Sequence, residues 1–434
     1  MIASKWIRQK CIAVSFDKER VPCLVLLHGS VALGMGSTSG DIDAVLLVPN
    51  YIDREDYFTS FLDTLKTCDE ITNCVAITDT LVPLIRMFVN GTQVDLSLSV
   101  FGAARIPRQL NIKMDPGELF YNMDPASVHS LSGVVLAHEI RQVLDKDPLY
   151  YTLLQTVRSW VRARSLNSFI YGFPPSVAWT IMVAYICKRI SDGFDPLTCV
   201  CETGTHSGSG TNRQQHSITC MLLRDILNLS VRTWKWQENR SKDVALMPVI
   251  SPAFPNKNTT FSVREATKNI AVRELQRGRD ILRNSLHSGM PVNTLFEKFD
   301  IRISYRHFLL ITFFARSTEE LAVLGGLVNS RLRDLAQLLD DMDHVQETRI
   351  HRVPIGSERT EQRVSQFVSQ WLIGMDIEPG PRKPDGSRTR VQIDVTPCLS
   401  QFLTILHERD PDTDFRTRLS HEYLKQSQVR MFNV

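Results

Sequence analysis

The sequence predicts an α+β chain of more than one domain, on three observations. Apolar, β-branched-rich runs of strand length fall in the first hundred residues, and a helical period takes over near residue 149. A strand and helix alternation then begins near residue 305. At 434 residues and 43% hydrophobic content, the chain is long enough to bury two or three cores.

Residues 1–12 (MIASKWIRQKCI) read as the end of a helix with Trp6 and Ile7 on its buried side, grouped with the helical part of the chain. Residues 13–123 read as a mixed-sheet unit. Cys23 to Leu27 and Ile42 to Val48 have strand length and composition, and Gly29 and Ser30 sit where the first strand turns into the next element. The alternating run Val94-Asp95-Leu96-Ser97-Leu98 reads as a neighbouring strand.

Residues 124–298 read as helical. From Leu149 to Arg164, apolar residues at Leu149, Leu153, Leu154, Val157, Trp160 and Val161 define one buried face, and Arg158 and Arg162 lie one turn apart on the other. Glu202 to Gln215 (ETGTHSGSGTNRQQ) has too little apolar content to pack and reads as a disordered loop, after which Met221 to Trp234 resumes a helix.

From Tyr305 the pattern changes again. Arg306 to Phe314 is strand-like, Thr318 to Met342 is a long amphipathic helix, and strands are expected at Gln366 to Ile377 and Thr389 to Val395. A basic, Pro/Gly-rich loop, Pro379 to Arg390, lies between the last two. This order predicts a small α/β sandwich over 299–410, followed by a tail at 411–434.

The net charge of +3 excludes a bulk polycation, so any nucleic-acid site must be a local basic patch. Nine cysteines with no signal peptide ahead of them point to a reducing compartment and free thiols. No apolar run approaches membrane-spanning length, as in a soluble chain. Cys199, Cys201, His206, His216 and Cys220 lie close in sequence, but Cys-X-Cys is not the usual zinc spacing. They are read as unpaired thiols and surface histidines.

The chemistry is carried by His28-Gly29-Ser30, Asp41-Ile42-Asp43 and Val94-Asp95-Leu96. A glycine at the turn lets the backbone approach a triphosphate, and the Ser30 hydroxyl and free N–H groups donate to phosphate oxygens. Side chains two apart on a strand share a face, so Asp41 and Asp43 point the same way and repel unless a cation lies between them. Mg²⁺ takes oxygen ligands and binds through carboxylates together with substrate phosphates. With Asp95, three carboxylates can hold two ions about 3.5–4 Å apart, the arrangement of metal-dependent nucleotide transfer. An isolated Asp-X-Asp is more often a solvated turn, but these aspartates abut apolar strands.

The order of these pieces resembles the eukaryotic nuclear-type poly(A) polymerases, within the superfamily that includes DNA polymerase β. Tyr51 to Leu65 (YIDREDYFTSFLDTL), Leu81 to Leu98 (LVPLIRMFVNGTQVDLSL) and Leu246 to Ser262 (LMPVISPAFPNKNTTFS) look like that family. The likeness runs from about Ser4 to near Leu406. It implies a nucleotidyltransferase domain, a helical central domain and a C-terminal RNA-recognition-like α/β sandwich. Relative to the family, the N-terminal helical lead-in reads as shortened and the Ser/Thr-rich regulatory tail of some members has no counterpart.

The resemblance assigns Asp41, Asp43 and Asp95 as catalytic metal ligands for Mg²⁺ or Mn²⁺, with Asp95 polarising the RNA 3′-hydroxyl. His28, Gly29, Ser30 and Ser37 take the positions that touch the triphosphate, Ser37 standing where the family usually has Thr. Arg158 and Arg162 align with two phosphate-facing lysines, and Ser132 aligns with an Asn that contacts the sugar. Asn167 stands in place of a phosphate-contacting Tyr, Phe169 in place of a nearby Asn, and Ser176 and Val177 in place of a Gly-Val pair beside the nucleotide. These departures cluster in the wall facing the carboxylates, so they bear on affinity and base choice more than on the chemistry.

Phe308 to Ala315 lacks the Gly-aromatic-Gly pattern of a stacking strand, and Phe308, Phe313 and Phe314 read as packing residues. Arg302, Arg306, Arg382, Lys383, Arg388 and Arg390 are candidates for RNA backbone contacts.

The activity implied is template-independent addition of AMP from ATP to RNA 3′ ends, with release of pyrophosphate. Partners are the RNA 3′ end and 3′-end cleavage and polyadenylation factors, and the implied location is the nucleus. Two alternatives stand beside it. One is a terminal transferase preferring another base such as uridine; the other is a weakly active scaffold in an RNA 3′-end processing complex.

Overall fold

The computed structural model describes residues 2–10, 20–36, 40–78, 80–192, 246–288, 291–353, 367–382, 389 and 391–430. Ser37, the loop at 202–215, the helix expected at 221–234, the five candidate zinc residues, Lys383, Arg388 and Arg390 lie outside the described residues.

Helix α1 (Ile2–Lys10) opens the chain. Strands β1 (Leu24–Leu27), β2 (Ile42–Val48), β3 (Ile71–Ile77), β4 (Leu84–Val89) and β5 (Thr92–Val100) form a five-stranded mixed sheet in the order β1-β2-β5-β4-β3. Only β2 and β5 run parallel; the other pairs are antiparallel. Val45 to Val48 are wholly enclosed because β2 is covered on both faces. Ala44, Leu46 and Val48 pack with Trp6, Ile7, Tyr57 and Phe61, whereas Val45 and Leu47 pack with Leu119, Phe120, Leu131 and Val134. The period-two alternation of the strand thus divides its side chains between two layers. Trp6 and Ile7 place α1 on this sheet, which corrects its grouping with the helical region: an amphipathic helix packs on whichever apolar face its stripe can cover.

Helices α3 (Pro125–Leu144), α4 (Pro148–Ala163), α5 (Ser176–Ser191) and α6 (Glu265–Ser288) follow the short helix α2 (Gly29–Ala32) and share a second core. Asp124 and Asp147 cap α3 and α4 by accepting from backbone N–H groups, each with proline in the first turn. Trp160 and Trp179 meet edge to face at 5.7 Å where α4 crosses α5. The buried face of α4 is the one the sequence spacing indicates, except that Tyr150 is enclosed and Leu149 is only half-buried.

The C-terminal part is a four-stranded antiparallel sheet of β6 (His307–Ala315), β7 (Val345–Val353), β8 (Phe367–Ile377) and β9 (Leu419–Lys425), in the order β9-β6-β8-β7. Helices α7 (Thr318–Asp340) and α8 (Thr396–Arg409) cover one face, where Leu309, Ile311, Phe313, Trp371 and Ile373 are buried. This is a split β-α-β arrangement. The strand expected at 389–395 is not formed: residues 391–395 lie outside any strand and lead into α8, whose Pro397 suits a first helical turn. Residues 411–430 are not a tail, because β9 pairs with β6 along its length and Phe415, Leu424 and Val429 are buried. The other sheet face is also occupied: Phe308, Leu310, Val353, Leu372 and Leu424 pack with Ile301 and Tyr305. Phe308 and Phe313 are therefore core residues, and Arg302 is engaged by the neighbouring Asp300. Among the described residues, no helix is long and apolar enough to cross a membrane.

Strand β7 went unread in the sequence because its buried positions include Glu347, Thr348 and Arg349. Arg273 pairs with Glu347 at 2.6 Å, and Arg264 pairs with Asp340 while donating to Thr348 Oγ1 at 3.2 Å. Arg264 is 4% exposed, so its removal would strand the Asp340 carboxylate away from water. We expect Arg264→Met to cost about 3–5 kcal/mol, read as a lower midpoint in urea unfolding with circular dichroism as the probe.

Candidate active site

Strands β2 and β5 run parallel with Asp43 directly opposite Asp95, and Asp41 sits one residue before β2 begins. One oxygen from each carboxylate lies within 4.8 Å of the others. Asp43 shares the face of Val45 and Leu47, the one α3 covers, but stands at the strand end where the cover stops. Asp41 is exposed and Asp95 is buried.

Two side chains hold Asp95. Arg86 of β4, directly opposite it, donates from Nε to Oδ1 at 2.8 Å and from Nη2 to Oδ2 at 2.6 Å, and Gln93 Nε2 donates to Oδ1 at 3.3 Å. This two-point grip fixes the plane of the carboxylate, while Oδ2 keeps a further lone pair. Neither Arg86 nor Gln93 was singled out from the sequence, although a signal is present. Asn90 and Gly91 both have positive φ (48° and 79°), as a two-residue hairpin turn requires, and counting back from Asn-Gly sets Arg86 against Asp95.

Among the described residues, Asp43 has no such cation of its own. Burial, then the charges of Asp41 and Asp95, push its carboxyl up to about 6, against the opposing pull of Arg86. Three oxygen-donor groups that repel one another are the donor set a hard divalent cation such as Mg²⁺ takes, and the site fits one by that chemistry.

The turn after β1 packs on these carboxylates. His28 N–H donates to Asp43 O at 3.0 Å, and Gly29 has φ +62°. A Cβ on Gly29 would overlap the Asp43 carboxylate, so glycine is needed both for the backbone conformation and for the close approach. Burial holds the His28 imidazole down to about 4, so at neutral pH it is uncharged. Its ring lies against Gly133 of α3.

A cleft of about 410 Å³ opens from this turn. It brings together His28, Gly29, Ser30, Asp41, Asp43, Arg158, Arg162, Ser176 and Val177, along with Thr180 and the apolar side chains of Leu33, Leu136 and Ala137, which sequence reading missed. Arg158 and Arg162 face it from α4, and neither has an acidic partner among the described residues; Arg158 meets only Met35 Sδ, at 3.9 Å. Burial and the neighbouring Arg162 lower the Arg158 pKa. Asn167 stands behind the wall, its Nδ2 donating to Ser176 Oγ at 3.3 Å. Phe169 is exposed beside it and meets Phe261 edge to face at 5.2 Å. Ser132 is turned away from the cleft: its hydroxyl lies 2.6 Å from Val128 O and 2.5 Å from Phe254 O and donates to one of them. The reason is the 100° step between successive helix positions, which aims Gly133 at the cleft and Ser132 past it.

Family models match this chain over residues 1–144, to the poly(A) polymerase nucleotidyltransferase domain, and over residues 149–298, to the poly(A) polymerase central domain. The chain is 28% identical to poly(A) polymerase pla1 of Schizosaccharomyces pombe over 323 residues, 74% of this chain and 56% of that protein. It is likewise 28% identical to poly(A) polymerase PAPalpha of Candida albicans over 396 residues, 90% of this chain and 65% of that protein. The chain therefore spans between 56% and 65% of the length of these two relatives. Among solved structures, it is similar to mtPAP in complex with UTP, with a TM-score of 0.46, 14% identity, and 68% of this chain and 67% of that chain covered. It is also similar to the Cid1 poly(U) polymerase bound to MgGTP, with a TM-score of 0.43, 13% identity, and 68% and 90% covered.

Proposed function

This chain belongs to the poly(A) polymerase family, and from that premise we propose that it adds AMP from ATP to RNA 3′ ends without a template, releasing pyrophosphate. The observation that carries the reading is one cleft with three clustered carboxylates at one end and, along its wall, two arginines without acidic partners among the described residues, joined by a glycine turn. Carboxylates alone repel a triphosphate, and arginines alone bind one without reacting it; nucleotide transfer needs both.

In this reading, Arg158 and Arg162 grip the β- and γ-phosphates, and the Gly29-Ser30 turn donates N–H and hydroxyl groups to phosphate oxygens. The RNA 3′-hydroxyl attacks the α-phosphate in line, a P–O bond to the new nucleotide forms, and the bond to pyrophosphate breaks. Mg²⁺ or Mn²⁺, held by Asp41, Asp43 and Asp95, would supply Lewis-acid activation of the hydroxyl and charge neutralisation of the phosphates. Arg86 holds the plane of the Asp95 carboxylate by its two-point grip. His28, uncharged, adds packing to this end of the cleft.

A second reading, another base preference, is favoured by one observation. Among the described residues, the cleft beyond the arginines is lined by Ser176, Val177 and Thr180, and Asn167 is already spent on Ser176, so few polar groups among them remain to read a base edge. Primer extension with purified protein, a short RNA and each nucleotide in turn separates the readings. We expect ATP to be incorporated fastest. Faster incorporation of UTP would establish the second reading, and no transfer in either Mg²⁺ or Mn²⁺ would overturn both in favour of a scaffold.

A further inference from the structure

The helix that carries Arg158 and Arg162 into the cleft is closed at its C-terminus by a residue of the C-terminal sheet. α4 ends at Ala163, and the last carbonyls of any helix lack donors from the helix itself. Ala163 O accepts from the backbone N–H of Phe299 at 2.8 Å. Arg349, in the middle of β7, donates from Nη2 to Arg164 O at 2.5 Å and to Ser165 O at 3.3 Å. Its guanidinium carbon lies 3.4 Å from the centre of the Phe299 ring and 5.2 Å from that of Phe173, and the residue is 3% exposed. A guanidinium at a helix C-terminus complements the helix dipole, and aromatic rings beside it fix the plane in which it donates. Arg164 itself is tied to Glu274 at 2.8 and 3.0 Å and to Glu297 O at 2.9 Å.

We propose that Arg349 is a positioning residue for the nucleotide site. By capping α4 from the opposite side of the interface, it sets the height and rotation at which Arg158 and Arg162 face the cleft, and so couples the seating of the C-terminal sheet to affinity for the triphosphate. This rests on the reading of the cleft given above. Arg349 does not touch the cleft; it acts through the end of the helix, two residues beyond Arg162. The sheet has other anchors on the helical region, Arg264 to Asp340 and Arg273 to Glu347, so loss of Arg349 loosens the end of α4 without releasing the sheet.

The test is binding of a fluorescent, non-hydrolysable ATP analogue, with KM and kcat from primer extension, on the full chain. R349M is expected to raise the Kd and KM for nucleotide by about 5- to 20-fold, with kcat and RNA affinity changed by less than about two-fold. R349K should recover part of the loss, since it keeps the charge but not the planar fork. In an R158M/R162M background, R349M should add no further loss, because the residues it positions are gone. Wild-type nucleotide affinity in R349M, or a fully additive loss in the combined variant, overturns the proposal. If R349M does not fold, F299L takes its place: it removes the ring beneath the guanidinium and should raise KM by about two- to five-fold only while Arg158 and Arg162 are present. A wild-type chain that binds no nucleotide overturns the reading of the cleft and this proposal with it; wild-type binding with an unaffected R349M overturns this proposal alone.

Discussion

Asp43→Asn should lower the rate of nucleotide transfer by on the order of 10²–10³-fold or more while making the metal-free protein more stable at pH 7.5. The two effects have one cause. The Asp43 carboxyl is pushed up to about 6 by burial and by Asp41 and Asp95, so above that pH the folded chain holds a charge that its surroundings oppose. A carboxyl raised in the folded state favours folding fully only below its unfolded pKa, and that contribution is lost as pH rises through about 6. Asparagine removes the charge and hence the loss. In EDTA, the stability advantage of the variant should be present at pH 7.5 and shrink toward pH 5, as measured by thermal melts of both proteins. Bound divalent cation should reverse the order at pH 7.5, because only the wild type has the third carboxylate to offer. A variant that tails an RNA primer as well as wild type would remove the carboxylate triad from the chemistry.

Gly29→Ala should be nearly as damaging to activity, by a different route. Gly29 has φ +62°, a conformation that costs an L-residue about 1–2 kcal/mol, and the added methyl would overlap the Asp43 carboxylate. Either the turn or the carboxylate must move. A displacement near 1 Å at the reacting centre costs about 10²-fold in rate. The expected outcome is a folded protein with a modestly lowered melting temperature and a severe fall in kcat. Gly34, also at positive φ (69°) in the turn that follows α2, has open space around its Cβ position and serves as the control. Gly34→Ala should show the backbone strain without the loss of rate.

The parts of this protein that were legible in its sequence are those governed by neighbours in the chain. The β2 run Ile42–Val48 reads as a strand because six of its seven residues are apolar, four of them β-branched or leucine at enclosed positions. The stripe of α4 reads as a helix because 3.6-residue spacing needs no partner to be recognised. The grouping of Gly29, Asp41 and Asp43 at one strand edge followed from the same local geometry, and the structure brings them together with Asp95, Arg158 and Arg162.

What escaped reading depends on partners far away in sequence. Glu347 and Arg349 look like surface charges in a polar stretch, yet both are buried because Arg273, Tyr305 and the end of α4 receive them. Without those partners the alternation of β7 is invisible, and the strand order built on it was misplaced at 389–395. β9 is mostly exposed and lies where a tail was expected; only pairing with β6 makes it a strand. Ser132 differs from Gly133 by one helix step, and the register of α3 against the turn at His28, which is a property of packing, decides which of them reaches the cleft.

Local φ/ψ preference, side-chain period and turn chemistry are written along the chain, and they were enough for β2, α4 and α7, the carboxylate cluster and the class of reaction these imply. Burial of charge in β7 and the capping of α4 by Arg349 were settled only when the parts of the chain packed together. Each of these depends on a partner placed by long-range contacts, and an ion pair or a hydrogen bond has no strength until both of its members are in position and out of water.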